Sequence, residues 1–462
     1  MLQKNKIFLF IFFLLLHLNS LSQENKVVRG YFKDSIVSIE SWFGDDNKLD
    51  SLKTYYLSGN KKEIFYYNND EKIHGNCFQF NDKNKKIVTW EFKNGKLVNR
   101  NDFALEFNQK NKKKVRNNIN TLKGINKRTE FNPKTLKDFY IRAVARKRLG
   151  NTFLALQDFQ NAERFIHRKS VREKVSPKLK SDLYSQLGAI FAEFENEDLA
   201  IHYKLKAIDQ FPENYTYKYN LGAYLFQIKS YRLAITYFNK VKEKWKKHAF
   251  SNWILGAIYS DFQDYEKALE FINLAFEKEA NLNKFGDGKA ELDIRTIRGF
   301  ILHKLNRTDE GITDLEEALK INKENSYANK NLGVIYNELG EFEKSLKYLN
   351  KAKELNYTQK YDSNDLNYYL ENSINYTIAK PLPSLADLPY LSPNPVSTNF
   401  TIKNYSSDHF RYKILDYNTN VIQQGVSKKV DFNISELPKG LYTFITLDNK
   451  TQVKNTFKII KN

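Results

Sequence analysis

A glycine recurs at a fixed distance along the middle of this chain, and this spacing constrains the fold more than any other feature. Within two series the glycines lie 34 residues apart, and each is followed 19 positions later by a small or β-branched residue. The glycines are Gly188, Gly222, Gly256, Gly299 and Gly333, and the residues that follow are Ala207, Val241, Ala275, Ala318 and Ala352. Such a period is typical of stacked two-helix units that bury their apolar faces against their neighbours. The spacing predicts a helical solenoid.

The residues around each glycine repeat a pattern of small and large side chains. Small residues fall where two helices must approach closely, and large residues four to seven positions away fill the gaps. Ala143 takes the place of the glycine in an earlier unit. The pattern resembles the tetratricopeptide repeat family over six units. The resemblance implies a right-handed superhelix over residues 137–378, ending in a capping helix over 364–376, with a concave groove that grips peptides or partner helices.

The resemblance also assigns residues to the groove, because the first helix of each unit builds the inner face in this family. The partner-binding residues implied in this way are Tyr219, Phe226, Phe250, Trp253, Phe300, His303, Tyr327, Lys330 and Asn337. Tyr and Trp are good anchors for a peptide. The same rings also suit the stacking of sugars, or packing between repeats, and these alternatives stay open. The Lys/Asn clamp that the family uses for a terminal carboxylate is not matched.

Residues 27–105 alternate aromatic pairs with turn-forming residues. Short aromatic strands separated by Asn and Gly predict a meander of β-hairpins, and Asn94-Gly95 is the strongest turn signal. The phrases Tyr-Tyr-Leu-Ser-Gly-Asn-Lys-Lys and Phe-Lys-Asn-Gly-Lys-Leu resemble the MORN-like repeats of the bacterial YwqK-type family; an unrelated β-meander is the alternative. Cys77 is the only cysteine, so an intrachain disulfide is excluded. We interpret Cys77 as a small apolar filler on a strand.

The composition changes again near the C-terminus. Five of the nine prolines lie between residues 381 and 395, which predicts a stiff linker over 379–391. Alternating apolar residues beyond it predict an antiparallel β-sandwich over 392–462. Three features carry a further resemblance: the phrase Ser-Pro-Asn-Pro-Val at 392–396, the phrase Ile-Ser-Glu-Leu-Pro-Lys-Gly-Leu-Tyr at 434–442, and Lys461 next to the last residue.

These features closely resemble the C-terminal sorting domain (type A) of the type IX secretion system. The family often opens with Tyr where this chain has Ser392. The resemblance implies recognition by the type IX machinery and export through the periplasm and outer membrane. Release, or attachment to surface polysaccharide, would follow. The expected location is therefore secreted or cell-surface.

The N-terminus agrees with export. Two lysines precede an apolar run of ten residues over 7–16, and small residues follow at Ser20 and Ser22. This order predicts a cleaved secretory signal peptide over residues 1–22. No later stretch is long and apolar enough to predict a transmembrane helix.

The chain is strongly basic, with a formal net charge of +20, and its densest basic stretch is 110–180. Such a stripe attracts anions, which include nucleic acid, anionic polysaccharide and lipid headgroups. The competing interpretation is a solvated, Lys-rich helical surface. We predict no nucleic-acid partner, because an exported protein seldom meets nucleic acid.

Catalytic signatures are missing from the sequence: there is no nucleophile elbow, zinc-binding helix motif, P-loop or dinucleotide fingerprint. The histidines are scattered, without metal-ligand spacing. We therefore predict no catalytic residues, metal or cofactor.

Taken together, the sequence predicts a multidomain, mainly α protein with a β-hairpin segment before its solenoid and a β-sandwich after it. The predicted function is that of an exported adaptor that binds a protein or peptide non-covalently through the groove. The alternative is a surface binder of anionic polysaccharide through residues 110–180. An enzyme assembled from distant residues is the third hypothesis.

Overall fold

The chain forms two compact units, which we describe in turn. The computed structural model describes residues 22–24, 27–31, 36–44, 46–56, 58–102, 109–129, 133–166, 175–278, 293–358 and 363–462. The first unit comprises residues 1–210 with 417–420, and the second comprises 211–416 with 421–462. Residues 1–21, which hold nearly all of the predicted signal peptide, lie outside the described residues.

The first unit begins with an antiparallel meander in which each strand pairs with the next along the chain. The strands are β1 Ser22–Glu24, β2 Val27–Tyr31, β3 Val37–Phe43, β4 Leu49–Tyr55, β5 Lys61–Tyr66, β6 Gly75–Phe80, β7 Lys86–Lys93 and β8 Lys96–Asp102. Lys93 pairs with Lys96, so Asn94 and Gly95 form a two-residue turn. Both have positive φ, 47° and 79°, which favours Asn and Gly at these positions.

One face of this sheet carries a hydrophobic core cluster of the first unit. Phe65, Cys77 and Trp90 are fully buried there, and the rings of Phe65 and Trp90 stack with their centroids 5.7 Å apart. Phe153, from the helical part of the same unit, packs on Phe65 with the ring centroids 6.1 Å apart. Burial raises the pKa of the Cys77 thiol to about 11, so this thiol is unreactive.

Among the described residues, five helices follow the sheet in the first unit: α1 Gln109–Thr129, α2 Leu136–Arg148, α3 Thr152–Ile166, α4 Pro177–Glu193 and α5 Glu197–Gln210. Side-chain caps define two of their starts. Thr135 accepts a hydrogen bond from the Asp138 N–H at the start of α2, and Ser176 accepts one from the Leu179 N–H ahead of Pro177 in α4. These are favoured N-cap residues, and proline is favoured in the first turn because it lacks an N–H.

Among the described residues of the second unit, the helices form four pairs and a final single helix. The pairs are α6 Tyr215–Gln227 with α7 Tyr231–Lys242, α8 Ala249–Asp261 with α9 Tyr265–Phe276, α10 Arg295–Lys304 with α11 Thr308–Ile321, and α12 Ser326–Glu338 with α13 Phe342–Glu354; the last helix is α14 Asp365–Ile374. A Cβ placed on Gly256 would lie 2.5 Å from the Ile272 side chain, and one on Gly299 would lie 2.6 Å from the Gly311 carbonyl oxygen. The recurring glycines therefore mark the closest approach within each pair.

The chain ends in two antiparallel sheets, ordered β13-β10-β9 and β12-β11-β14-β15. Their strands are β9 Tyr390–Ser392, β10 Asn399–Lys403, β11 Phe410–Asp416, β12 Val421–Ser427, β13 Asp431–Asn433, β14 Gly440–Asp448 and β15 Lys454–Lys461. Both sheets contribute to one core, in which Phe400, Phe410 and Phe444 are almost wholly buried.

The phrases that mark this C-terminal segment in the sequence lie together in the structure. Asn394 donates a hydrogen bond to the Lys458 carbonyl oxygen and accepts one from the Ile460 N–H. Lys461 pairs with Gly440 on one side and forms a bridge with Val396 on the other. The opening phrase, the central strand and the penultimate lysine are thus neighbours. None of the helices among the described residues has the length and apolarity to cross a membrane.

Candidate functional site

The predicted groove residues all lie on the first helices of the four pairs in the second unit. Their positions are Tyr219 and Phe226 on α6, Phe250 and Trp253 on α8, Phe300 and His303 on α10, and Tyr327, Lys330 and Asn337 on α12. The repeat therefore places them in corresponding helices, and the contacts of each residue decide what it can offer a partner.

The aromatic residues among them are half-buried. Tyr219 meets the ring of His248 edge-on, with centroids 5.1 Å apart, and Phe226 lies 5.7 Å from Tyr231. Phe250 and Trp253 pack against the core cluster of the neighbouring helices. These rings both support the packing between repeats and keep part of their surface accessible, which is the arrangement expected of an aromatic anchor.

Lys330 lies at the centre of an aromatic enclosure. Its Nζ is 5.3 Å from the ring centroid of Tyr327 and 5.5 Å from those of Phe300 and Tyr357. The side chain is only 6 % exposed, and Nζ lies 2.9 Å from Oδ2 of Asp365 at the start of α14. Burial opposes the charge of Lys330, but Asp365 and the two tyrosines outweigh it and hold the pKa well above its usual value. Lys330 thus holds the last helix to α12.

His303 and Asn337 also make internal polar contacts. His303 Nε2 lies 3.0 Å from Glu338 Oε2, which Lys304 contacts at 2.6 Å, so these residues link α10 to α12. Burial favours the neutral form of Glu338, but the hydrogen bonds from His303 and Lys304 outweigh it and lower the pKa. Asn337 has no accessible surface and donates to Ser373 Oγ at 2.8 Å.

An acidic residue that the sequence analysis missed lies beside these aromatic residues. Asp261 is the last residue of α8, and the Tyr231 hydroxyl is hydrogen-bonded to it. Its side chain contacts water, yet the surrounding helices reduce its hydration, and this burial raises the pKa to about 6 against the lowering effects of Lys330 and Tyr231. A carboxylate at a helix C-terminus interacts unfavourably with the helix dipole. The position of Asp261 at the end of a predicted helix was the signal by which the sequence could have marked it as unusual.

The electrostatic character of the groove is mixed. Asp261 and Glu338 lie among Lys304 and the Lys330–Asp365 pair, so neither sign of charge dominates. Within the part of the chain that the structure describes, no three His, Cys, Asp or Glu side chains are grouped as a metal site. The arrangement supports binding by shape, ring contacts and local charge.

The basic stretch at 110–180 contributes less free charge than its composition indicates. Arg142 and Arg146 are largely buried and contact the same carboxylate, Asp158, at 2.6 and 2.8 Å. The side chains of 109–115, which include the lysines at 112–114, and the residues 167–174 lie outside the described part of the chain.

Comparison with known families confirms two of the resemblances. Residues 391–462 match the family described as the secretion system C-terminal sorting domain. Residues 195–249, 292–325 and 328–359 match tetratricopeptide repeat families. The chain therefore carries tetratricopeptide repeats followed by a sorting domain that indicates type IX export. No curated protein is significantly similar to the chain.

Several solved structures are similar at low identity. A tetratricopeptide repeat protein from Parabacteroides merdae is 14 % identical, with a TM-score of 0.40, over 58 % of this chain and 100 % of that one. The C-terminal part of a repeat protein from Cytophaga hutchinsonii is 16 % identical, with a TM-score of 0.39, over 57 % and 98 %. The APC/C hetero-tetramer Cut9-Hcn1 is 14 % identical, with a TM-score of 0.42, over 56 % of this chain and 46 % of that chain. These likenesses carry no functional argument.

Proposed function

We propose that the protein is an exported adaptor, which binds a protein or peptide partner non-covalently through the inner face of its tetratricopeptide repeats. The observation that carries this proposal is the series of half-buried aromatic side chains on successive first helices. Such rings lose little conformational entropy on binding and bury a large area, which makes them effective anchors. Repeat proteins of this kind are interaction scaffolds, and this favours binding over catalysis.

The contacts divide the nine predicted residues into two roles. We propose that the partner contacts the aromatic residues Tyr219, Phe226, Phe250, Trp253, Phe300 and Tyr327. The polar residues His303, Lys330 and Asn337 keep these helices in place through Glu338, Asp365 and the residues after α14. Asp261 adds a carboxylate beside the rings, so a basic side chain of the partner has a complementary group there.

The other features of the chain fit an exported molecule. We propose cleavage of residues 1–22 during secretion and display or release beyond the outer membrane, directed by the sorting domain. The two C-terminal sheets that share a core support a β-sandwich. The N-terminal meander and its Asn-Gly turn are compatible with the MORN-like resemblance.

A peptide library displayed on phage, selected on the full secreted chain, tests the function. A selected peptide should bind the unaltered protein, and Trp253→Ala and Tyr219→Ala should each weaken its binding by about tenfold or more. Affinity should change little with salt, because ring contacts are not screened. Trp42→Ala removes an exposed ring from the N-terminal sheet and serves as the matched control.

Helical circular dichroism of each variant separates lost binding from lost folding. If correctly folded Trp253 and Tyr219 variants bind every selected peptide as well as the unaltered protein does, the groove proposal is wrong. Binding of an anionic polysaccharide that weakens steeply with salt, and is unaffected by these two variants, would favour the alternative function instead.

A further inference from the structure

The segment after the last helix follows the surface of the solenoid instead of projecting away from it. The start of this segment, residues 377–390, is bound to Asn337. The Asn337 Oδ1 accepts a hydrogen bond from the Ala379 N–H at 3.0 Å, and its Nδ2 donates to the Thr377 carbonyl oxygen at 3.3 Å. Asn337 lies at the end of α12, next to the turn into α13. The buried asparagine therefore fixes the start of this segment.

The segment then crosses the turn between α8 and α9, which belongs to an earlier repeat. Gln263 Nε2 donates to the Leu382 carbonyl oxygen at 2.7 Å, and the Ser384 hydroxyl donates to the Phe262 carbonyl oxygen at 2.9 Å. The segment thus passes along the repeats in the direction opposite to their order in the chain.

Its far end contacts an arginine at the start of α7. Arg232 Nη2 donates to the Ala386 carbonyl oxygen at 2.8 Å, and Asn404 Nδ2 donates to the same oxygen at 2.9 Å. The Arg232 guanidinium lies 3.5 Å from the ring centroid of Tyr390 and 5.1 Å from that of Phe262. These contacts lie on one edge of the solenoid, made by the turns that join first helices to second helices. We call this edge the turn rim and define it by Arg232, Phe262, Gln263 and Asn337.

The chemistry of the rim matches a proline-containing segment that includes a short 3-10 helix, Leu385–Asp387. Pro381, Pro383 and Pro389 have no N–H, so at these positions the backbone can only accept hydrogen bonds through its carbonyl oxygens. Gln263 and Arg232 supply the donors for two carbonyl oxygens of the segment. Three leucines of the segment remain partly exposed, with exposures of 38 % for Leu382, 37 % for Leu385 and 57 % for Leu388. Apart from the Ser384 hydroxyl and the Tyr390 ring, the polar contacts of the rim are therefore made with the main chain of the segment.

We propose that the turn rim is a second peptide-binding site of the solenoid, which takes a proline-containing segment, and that residues 377–390 are its resident ligand. The proposal does not rest on partner binding in the groove. It explains why Arg232 and Gln263, two donors with long side chains, lie at corresponding turns of different repeats and bind carbonyl oxygens of the same segment. It also implies that release of the linker opens the rim to another segment of the same chemistry.

Hydrogen exchange of the full chain, read by mass spectrometry, tests whether the linker is bound. The variant Arg232→Ala with Gln263→Gly removes two donors, and glycine suits the positive φ of 61° at position 263. Amides of residues 384–390 should exchange about tenfold faster in this variant, because a linker released from the rim loses its local structure. Unchanged exchange in this segment would overturn the proposal.

The matched control changes the corresponding places in other repeats. Glu266 is the second residue of α9, as Arg232 is of α7, and Asn306 has the same φ of 61° in the turn between α10 and α11. The pair Glu266→Ala with Asn306→Gly should leave exchange in 384–390 unaltered. Equal acceleration by both pairs would mean that general loosening of the turns, and not the rim contacts, is responsible.

Binding in trans tests the site itself. Residues 380–389 of the full chain are replaced by a Gly-Ser segment of equal length, and a fluorescent peptide of residues 377–391 is added at up to about 1 mM, the range of effective concentration that a short tether provides. The peptide should bind this chain and not the unaltered protein, whose rim is filled. Arg232→Ala should abolish the binding. No binding to the replaced chain, or binding that ignores Arg232→Ala, would overturn the site.

Discussion

At the residue scale, the most unusual group outside the groove is Glu63 in the N-terminal sheet. It is wholly buried on β5, where the Thr54 hydroxyl donates to one carboxylate oxygen at 3.1 Å. The other oxygen, Oε1, has no hydrogen-bond partner in the described structure. Burial raises the pKa of Glu63 to about 7, which Lys62 and Thr54 only partly oppose. The folded sheet therefore favours the protonated acid.

Glu63→Gln should stabilise the first unit at neutral pH. The unfolded chain ionises above about pH 4.5, but the folded sheet resists ionisation until about pH 7, so the wild type loses stability as the pH rises through this window. Glutamine does not ionise and has no such loss. The free energy of unfolding of Glu63→Gln should therefore exceed that of the wild type by about 3 kcal/mol above pH 7, and this difference should vanish below pH 4.5. Urea unfolding, followed by the fluorescence of the buried Trp90 at pH 4 and pH 8, measures it.

Glu91→Gln is the matched control, since Glu91 lies on the same sheet with an exposed side chain. It should produce no comparable pH-dependent gain. A stability difference between Glu63→Gln and the wild type that is the same at pH 4 and pH 8 would show that Glu63 ionises normally in the folded state.

At the scale of elements, one position in the repeats can be filled in two chemically different ways. In two repeats the residue just before the small residue of the first helix forms an ion pair with the residue 16 places later on the second helix, and in four others the same two positions are apolar or aromatic. The apolar versions are Leu187/Tyr203, Leu221/Tyr237, Leu255/Phe271 and Leu332/Tyr348, and the ionic versions are Arg142/Asp158 and Arg298/Asp314. In both ionic versions the guanidinium contacts both oxygens of the aspartate. The repeat therefore accepts either an apolar pair or an ion pair at these two positions.

This alternation predicts different effects of single and double substitutions. Asp314→Ala should destabilise α10–α11 by about 2 kcal/mol, because it leaves a largely buried guanidinium without its bidentate partner. Arg298→Leu with Asp314→Tyr copies the pair of the next repeat and should recover most of this loss. Urea midpoints from helical circular dichroism measure both, and Glu310→Ala, in an exposed pair, should change little. A double variant less stable than Asp314→Ala would contradict the equivalence of the two solutions.

The helix pairs could be predicted from the sequence because small residues recur wherever two helices touch, and the Asn94-Gly95 turn because few residues accept two positive φ angles. The helix α1 was missed. Its abundant lysines and asparagines dominate its composition, and of its described residues only Leu122 and Ile125 supply buried apolar side chains. The repeat pattern placed the aromatic residues of the predicted groove on the first helices of the pairs. It could not foresee Asp261 or Arg232, because their roles depend on contacts with one repeat or with the linker.

At the scale of the whole molecule, the sorting domain and the solenoid have separate cores. Phe400, Phe410 and Phe444 belong to the cluster between the two C-terminal sheets, and the helices of the second unit have clusters of their own. The contacts through the turn rim are mainly hydrogen bonds and one stacked arginine. Separate cores joined by such contacts should lose their structure in separate steps.

Phe444→Ala should therefore weaken the sorting domain alone. Removing a fully buried ring costs about 3–5 kcal/mol, because the cavity cannot collapse completely. Hydrogen exchange should speed up throughout β11, β14 and β15, while the amides of α8 and α12 keep their rates. Val426→Ala, at an exposed position on β12, is the control and should leave both sets unchanged. If exchange in the helices rises in parallel with that of the strands, the two cores unfold as one cooperative unit. The coupling between them must then be stronger than the hydrogen bonds along the linker can provide.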